Sequence, residues 1–590
     1  MTERFATLVE LWERSCEKFA ARPLFGTKEQ TGWKWTRYGE FRTLVDACRA
    51  GLSAFGVGPG DRVAIVANNR VEWAVCAYGA YGLAAAVAPM YEEQLPGDWE
   101  YILGDCGAKI AFAANARIAA RLAEAAPNLP SLRHIVRLDA PPEDPASFAA
   151  LLERGRAAPV PAREAGPDVT ANLIYTSGTT GKPKGVILSH GNIVSNVNAL
   201  HEVFLFDPDD RSLSFLPWAH AFGQIELHTF FSMGCSLALN RNPAELIGDL
   251  SEVKPTVLVA VPRIFERLYG AVSDQLRERP TVVQSLFRAG IGWATRRARG
   301  DRIGLLERVG LRLTDALVFS KVRARFGGRL KYVICGGAAL GAEVGHFIDA
   351  LGLTVYEGYG LTETSPIVSA NAPFHRRFGS AGRVLPGVRV VIDRESGAGD
   401  EGEIVIYGPN VMRGYHNRPE ESGALLPDGG FRTGDLGYLD KDGYLFITGR
   451  IKEQFKLDNG KYVMPAPIED ALKVSPYIAN VVLYGHNKPY CVALVLIDLA
   501  HVHRWAEKQG IELRDPTRDE RVRGLVHQEI ERRSAGFPRY EKPRAFALST
   551  GEFTMENGML TPTLKVKRRV VLGTYLPVLE ALYHVAADVS

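Results

Sequence analysis

Residues 175–186, YTSGTTGKPKGV, hold three glycines, four Ser/Thr hydroxyls and two lysines within twelve positions. Glycines let backbone approach a ligand, hydroxyls offer hydrogen bonds and lysines offer charge, so the run suits a polyphosphate. Its candidate contacts are Thr176, Ser177, Gly178, Thr179, Thr180, Gly181, Lys182 and Lys184. A Walker A loop is excluded because the GxxxxGK[ST] spacing is missing and Pro183 follows Lys182 where Ser or Thr is needed. That disfavours a P-loop kinase or GTPase.

A second constellation joins Asp435 and Arg450. Between them, residues 440–443 (DKDG) are turn-forming and are flanked by β-prone segments, which predicts a hairpin. With Lys441 and Asp442 at its tip, Asp435 faces Thr448 and lies within two positions of Arg450. One ligand then reaches both: a carboxylate accepts from two ribose hydroxyls, while a guanidinium holds a hydroxyl or phosphate.

The loop at 176–184 resembles the signature loop of the AMP-forming adenylating enzymes, which comprise acyl-CoA synthetases, peptide-synthetase adenylation domains and firefly-type luciferases. Residues 216–220 (LPWAH), 335–338 (CGGA), 356–363 (YEGYGLTE), 433–435 (TGD), 449–452 (GRIK) and 564–565 (LK) follow in the family's order, so the resemblance spans nearly the whole chain. Blocks 449–463 and 557–568 look most like the long-chain fatty acid branch. The resemblance implies a ligase that makes an acyl adenylate from ATP and a fatty acid, then passes the acyl group to coenzyme A.

It also implies roles. Glu363 and the Thr176 hydroxyl would hold Mg²⁺, which takes one or two protein oxygens beside phosphate and water. Glu357, Gly358, Tyr359, Gly360 and Thr362 would line the adenine and phosphate site, and Gly336, Gly337 and Ala338 would pack against adenine. Asp435 is assigned to the ribose and Arg450 to the nucleotide. Lys565 matches the catalytic lysine of the family's C-terminal part, with Lys567 displaced relative to the following arginines. His220 matches a histidine beside the acyl pocket, expected to position rather than transfer protons, and Lys452 matches the hinge. Three alternatives stay open: a fatty acyl-AMP ligase that loads a carrier protein, a luciferase-like oxygenase, and a nucleotide sensor without chemistry. Thioester formation with free coenzyme A, oxygen consumption and pyrophosphate release separate them.

These residues need a scaffold. Short apolar runs at 62–67, 84–88, 110–114, 134–138, 256–261 and 332–335, several separated by helical patterns, give the βαβ signal of an α/β fold with parallel layers. After Gly402 the runs shorten, and beyond Arg450 a compact α+β pattern begins. We therefore expect a large multi-sheet N-terminal domain over 1–450 and a small α+β domain over 451–590, which the resemblance implies is a mobile lid. An Arg-rich helical insert at about 279–329 includes Arg296, Arg297, Arg299, Arg302 and Arg308. It reads as solvated helix faces or as a surface for acidic lipids or a coenzyme phosphate.

A chain of 590 residues with 46% hydrophobic content supports more than one core. Its 70 basic against 67 acidic residues give no signal for nucleic acid. Seven scattered cysteines outside metal-ligand spacing predict free thiols in a reducing compartment. The N-terminal residues lack an apolar signal-peptide core, so a cytoplasmic location is expected. The uncharged run 73–91 reads as a buried helix and strand, leaving any membrane contact peripheral. Nothing in the sequence signals oligomeric state.

Overall fold

The computed structural model describes residues 3–176, 182–277, 279–298, 301–396, 399–561 and 565–585. Its first hairpin, β1 (Pro23–Glu29) and β2 (Gly32–Arg37), precedes β3 (Arg62–Val66), β4 (Ala86–Met90), β5 (Ile110–Ala113), β6 (His134–Arg137), β7 (Thr170–Thr176) and β8 (Lys184–Ser189). The apolar runs become parallel strands because both faces are covered: β4 and β5 are buried at every position. The sheet order is β6-β5-β3-β4-β7-β8. The uncharged run at 73–91 is, as expected, a helix (Val71–Tyr81) followed by β4. Strands β9 (Arg211–Ser214) and β10 (Ser236–Leu239) extend the first hairpin into a sheet ordered β2-β1-β10-β9.

A further sheet runs β11 (Val257–Ala260), β12 (Tyr332–Cys335), β13 (Thr354–Gly360), β14 (Ile367–Ala370) and β15 (Arg383–Val384). Strand β13 pairs parallel with β12 through Glu357 and antiparallel with β14 from Gly358. That change of partner brings the backbone of Gly360 against the Pro366 carbonyl, where a Cβ would sit 1.8 Å from the oxygen, so only glycine fits. The Arg-rich insert between β11 and β12 is helical, with helices Pro262–Arg277, Thr281–Ala298, Leu305–Thr314 and Ser320–Arg325. Arg299 lies outside the described residues.

Four antiparallel strands follow: β16 (Arg389–Asp393), β17 (Gly402–Tyr407), β18 (Phe431–Leu439) and β19 (Leu445–Arg450). Beyond them lie the small β20 (Phe455–Lys456) and β21 (Tyr462–Val463) pair and the sheet of β22 (Ile478–Tyr484), β23 (Cys491–Ile497) and β24 (Pro543–Ser549). The largest core draws on residues from Phe5 to Leu445, whereas two smaller buried clusters use only residues between Leu457 and Leu579. All seven cysteines are buried. No helix among the described residues is long and apolar enough to cross a membrane.

Candidate active site

Strands β7 and β8, which flank the candidate phosphate loop, pair antiparallel and set Thr176 opposite Lys184. Ser177, Gly178, Thr179, Thr180 and Gly181 lie outside the described residues. Thr176 and Lys184 line a cavity of roughly 2490 Å³, and the same cavity takes in His220, Glu363, Asp435, Arg450 and Lys565. Lys182 is not among the lining residues; its ammonium stands 5.1 Å from the centre of the Tyr101 ring. Lys184 pairs with Glu421 and sits 5.5 Å from the Tyr415 ring centre. Burial holds the Lys184 ammonium below its usual range, and the charge of Lys452 adds to this.

The floor comes from the β12 and β13 ends. Gly336, Gly337 and Ala338 follow β12, and Gly337 takes a left-handed φ of +85°. Glu357, Gly358, Tyr359, Gly360 and Thr362 also reach the cavity. Burial raises the Glu357 carboxyl to about 7, with Leu340 N–H donating to it at 3.3 Å. Glu363 sits in the short turn Thr362–Thr364, where the Tyr415 hydroxyl donates to its Oε1 at 2.8 Å. Among the described residues no three His, Cys, Asp or Glu side chains cluster to hold a metal. One carboxylate and one hydroxyl are nonetheless the hard oxygen donors that suit a magnesium ion arriving with phosphate.

The hairpin corrects the expected register. Its loop has three residues, Lys441, Asp442 and Gly443, with Asp440 N–H donating to the Tyr444 carbonyl and Gly443 at φ +80°. A bulge between Leu436 and Gly437 adds a second shift, so Asp435 pairs with Arg450 rather than Thr448. Arg450 Nε lies 2.8 Å from Asp435 Oδ1, and the Tyr359 hydroxyl donates to Oδ2 at 2.6 Å. Burial pushes the Asp435 carboxyl up, opposed by the Arg450 guanidinium.

Lys565 reaches the same cavity from the C-terminal part of the chain. Its N–H donates to Thr561 Oγ1 at 3.0 Å and its carbonyl accepts from Thr561 N–H at 2.9 Å. Leu564 lies outside the described residues. Although solvent in the cleft reaches Lys565, the surrounding protein and the Arg450 charge lower its affinity for a proton, with Asp435, Glu453 and Glu363 opposing. Lys567 also lines the cavity, where its charge is felt by Asp98. His220 caps the helix Ala221–Ser232: its Nδ1 accepts from Phe222 N–H at 3.1 Å, so the neutral ring carries its proton on Nε2. Burial, helped by Lys565, holds it neutral down to about 4.

Several site residues escaped the sequence reading. Tyr415 and Glu421 are separated from Glu363 and Lys184 by long stretches of chain and carry no local signal. Glu226 is another: on the helix Ala221–Ser232 it lines the cavity, accepts from Ser212 at 2.8 Å and Ser214 at 2.7 Å, and burial raises its carboxyl to about 7. Phe204, Ile225, Phe230, Val259 and Ile334 add apolar side chains to the lining of the same cavity. At the rim, Glu343 on the helix Ala342–Ala350 pairs with Arg533 on the helix Glu520–Arg533, and Tyr269 donates to the same Glu343.

Residues 12–416 match the AMP-binding enzyme family, and residues 452–585 match the AMP-binding enzyme C-terminal domain. The long-chain-fatty-acid–CoA ligase FadD15 of Mycobacterium bovis is 33% identical over 566 residues, covering 94% of this chain and 93% of that protein. The human long-chain-fatty-acid–CoA ligase 1 is 29% identical over 611 residues, covering 98% of this chain and 86% of that one. Among solved structures, the adenylation domain of a carboxylate reductase from Mycobacterium chelonae superposes with a TM-score of 0.79 at 22% identity, covering 98% of this chain and 91% of that one. The likeness of fold extends over both parts of the molecule.

Proposed function

Because this chain belongs to the AMP-binding enzyme family, we propose that it is an AMP-forming ligase that activates a long-chain fatty acid with ATP and transfers the acyl group to coenzyme A. The observation that carries this reading is the gathering of Thr176, Glu363, Asp435, Arg450 and Lys565 around one cavity whose lining also includes Phe204, Phe230, Val259 and Ile334. ATP, Mg²⁺ and coenzyme A are its small-molecule requirements.

In the first half-reaction a carboxylate attacks the α-phosphorus of an anionic nucleotide. Each like-charge pair at about 4 Å costs on the order of 4 kcal/mol at an effective dielectric near 20, so cations must be aimed at that point. Asp435 accepts the ribose hydroxyls while Arg450 and Tyr359 hold its carboxylate in place. Lys565 brings its ammonium to the carboxylate and α-phosphate oxygens as the bond forms. Glu363 and Thr176 are the residues that would hold a magnesium ion, which would supply positive charge to offset that of the phosphates. Neutral His220 cannot repel a cation and can donate from Nε2, so it positions the acyl carboxylate without exchanging its proton. The apolar lining would remove the alkyl chain from water at about 0.8 kcal/mol per methylene, which favours long acids.

In the second half-reaction a thiol must reach the acyl carbon that Lys565 covers. The part beyond about residue 450 therefore moves as a lid, with the torsions of Lys452 absorbing the rotation. The Glu343–Arg533 contact at the rim is one that this motion would break. We place the enzyme in the cytoplasm, with any membrane contact peripheral.

The test is a panel of carboxylic acids of graded chain length, with ATP and coenzyme A, scored for AMP and thioester. Long-chain acids should give both products in equal amounts. Adenylate formation without thioester on free coenzyme A would replace this reading with a carrier-protein ligase, and no AMP with any acid would reduce the chain to a nucleotide sensor.

A further inference from the structure

The helix Leu305–Thr314 and the turn that continues it leave an apolar stripe in solvent. Leu305 is 77% exposed, Leu306 87%, Val309 48%, Leu313 52% and Leu317 51%, a concentration of bare leucine that a lone surface helix does not need. At about 100° per residue, Leu305, Leu306, Val309 and Leu313 fall within one arc of roughly 100°.

The opposite face is fixed to the protein. Gly310, Leu311 and Thr314 are buried, and Gly310 lies so close to Trp293 that a Cβ there would meet the ring at 2.3 Å. The Glu307 carboxylate caps the helix by accepting from Gly304 N–H at 2.8 Å, and it pairs with Arg296 at 2.5 Å. The stripe is therefore preformed.

Arg308 and Arg312 border the arc on one edge and the exposed Lys321 lies further along the chain; among the described residues none of the three has a carboxylate within ion-pair distance. The nearby acids are already engaged, Glu307 with Arg296 and Asp315 with Arg323 at 2.7 Å. A second copy of this face would bring arginine against arginine, which opposes self-association. Exposed leucines bordered by unpaired cations match the boundary between acyl chains and anionic headgroups.

We infer that the helix Leu305–Thr314 lies in the plane of an anionic phospholipid surface, with Leu306, Val309, Leu313 and Leu317 among the acyl chains and Arg308, Arg312 and Lys321 at the phosphates. The use of that docking rests on the fatty-acid reading above: a long-chain acid partitions into bilayers, and a docked ligase collects it there.

Vesicle flotation tests the inference with the full chain, phosphatidylcholine vesicles, and vesicles in which roughly a third of the lipid is phosphatidylglycerol. The wild type should float with the anionic vesicles and less so with the neutral ones, by roughly fivefold for each arginine engaged. The double variant Leu306→Asp/Leu313→Asp should lose roughly tenfold or more of that binding, and Arg308→Glu/Arg312→Glu should lose the preference for anionic lipid. Both variants should keep wild-type turnover on fatty acid delivered from albumin and lose rate only when the acid is embedded in vesicles. Failure of the wild type to float, or equal flotation by the variants, overturns the inference. So does a fall from dimer to monomer on sedimentation of the leucine variant, which would assign the stripe to a second copy. The acid panel is independent of flotation: an inactive panel defeats the fatty-acid reading while the vesicle result still decides the docking.

Discussion

Asp435 and Lys565 face the same cleft from walls of different construction. Asp435 is on a strand, 2% exposed, its two oxygens occupied by Arg450 and Tyr359 and its backbone N–H donated to Thr433. Lys565 is on a loop tied locally to Thr561, in a part whose buried clusters share no residue with those of the larger wall. The first wall is a preformed grip, with the ordering cost met at folding rather than at binding. The second, in the lid motion proposed above, would deliver a charge that can be withdrawn. An enzyme that must protect an adenylate and then expose it to a thiol needs both properties, and a single rigid wall cannot supply them.

Removing the withdrawable charge should have the largest effect. Lys565→Ala is expected to lower pyrophosphate exchange by roughly 10²- to 10³-fold, while thioester formation from supplied acyl adenylate stays near wild type; normal exchange would remove Lys565 from the chemistry. Next comes the grip. Asp435→Asn should cost roughly 10- to 100-fold in kcat/KM for ATP, since it leaves Arg450 with a weakened partner. The same variant should lose discrimination against 2′-deoxy-ATP, which a purely structural role for Asp435 would leave intact.

The rigidity of the larger wall has a pH signature. His228 is fully buried and bonded to the Tyr78 hydroxyl at 2.8 Å, and burial holds its ring neutral down to about 3. The unfolded chain takes up that proton near pH 6.5, so the contribution of this residue is complete above 6.5 and is lost as pH falls towards about 3. His228→Gln should flatten the fall in unfolding free energy by about 1.4 kcal/mol per pH unit between pH 6 and 4. Parallel curves for variant and wild type would show the histidine protonating in the fold. The smallest effect is expected at Tyr359→Phe, which removes one donor from Asp435 and should weaken ATP binding about fivefold; an unchanged KM would mean that Arg450 alone fixes the carboxylate.

The parallel strands were legible because burial on both faces leaves unbroken apolar runs such as 110–113. The meeting of Asp435 and Arg450 was legible from a turn signal, but their register was not. One extra loop residue at Gly443 and a bulge at Leu436 each shift the pairing, and bulges carry no reliable sequence mark. Tyr415, Glu421 and Glu226 were invisible for a different reason. Each reaches the cleft through tertiary packing, from a position where its residue type is unremarkable. The exposed leucines of residues 305–317 were hidden in the same way, since a helical apolar period reads as a buried face until the structure shows which side is covered.

The contrast between the two walls is tested most directly at Lys452, where one is joined to the other. Pyrophosphate exchange and coenzyme A thioester formation should be measured side by side in Lys452→Pro. The account predicts exchange close to wild type and thioester formation reduced by roughly two orders of magnitude or more. Equal loss of both half-reactions, or retention of both, would contradict a lid that turns about this residue.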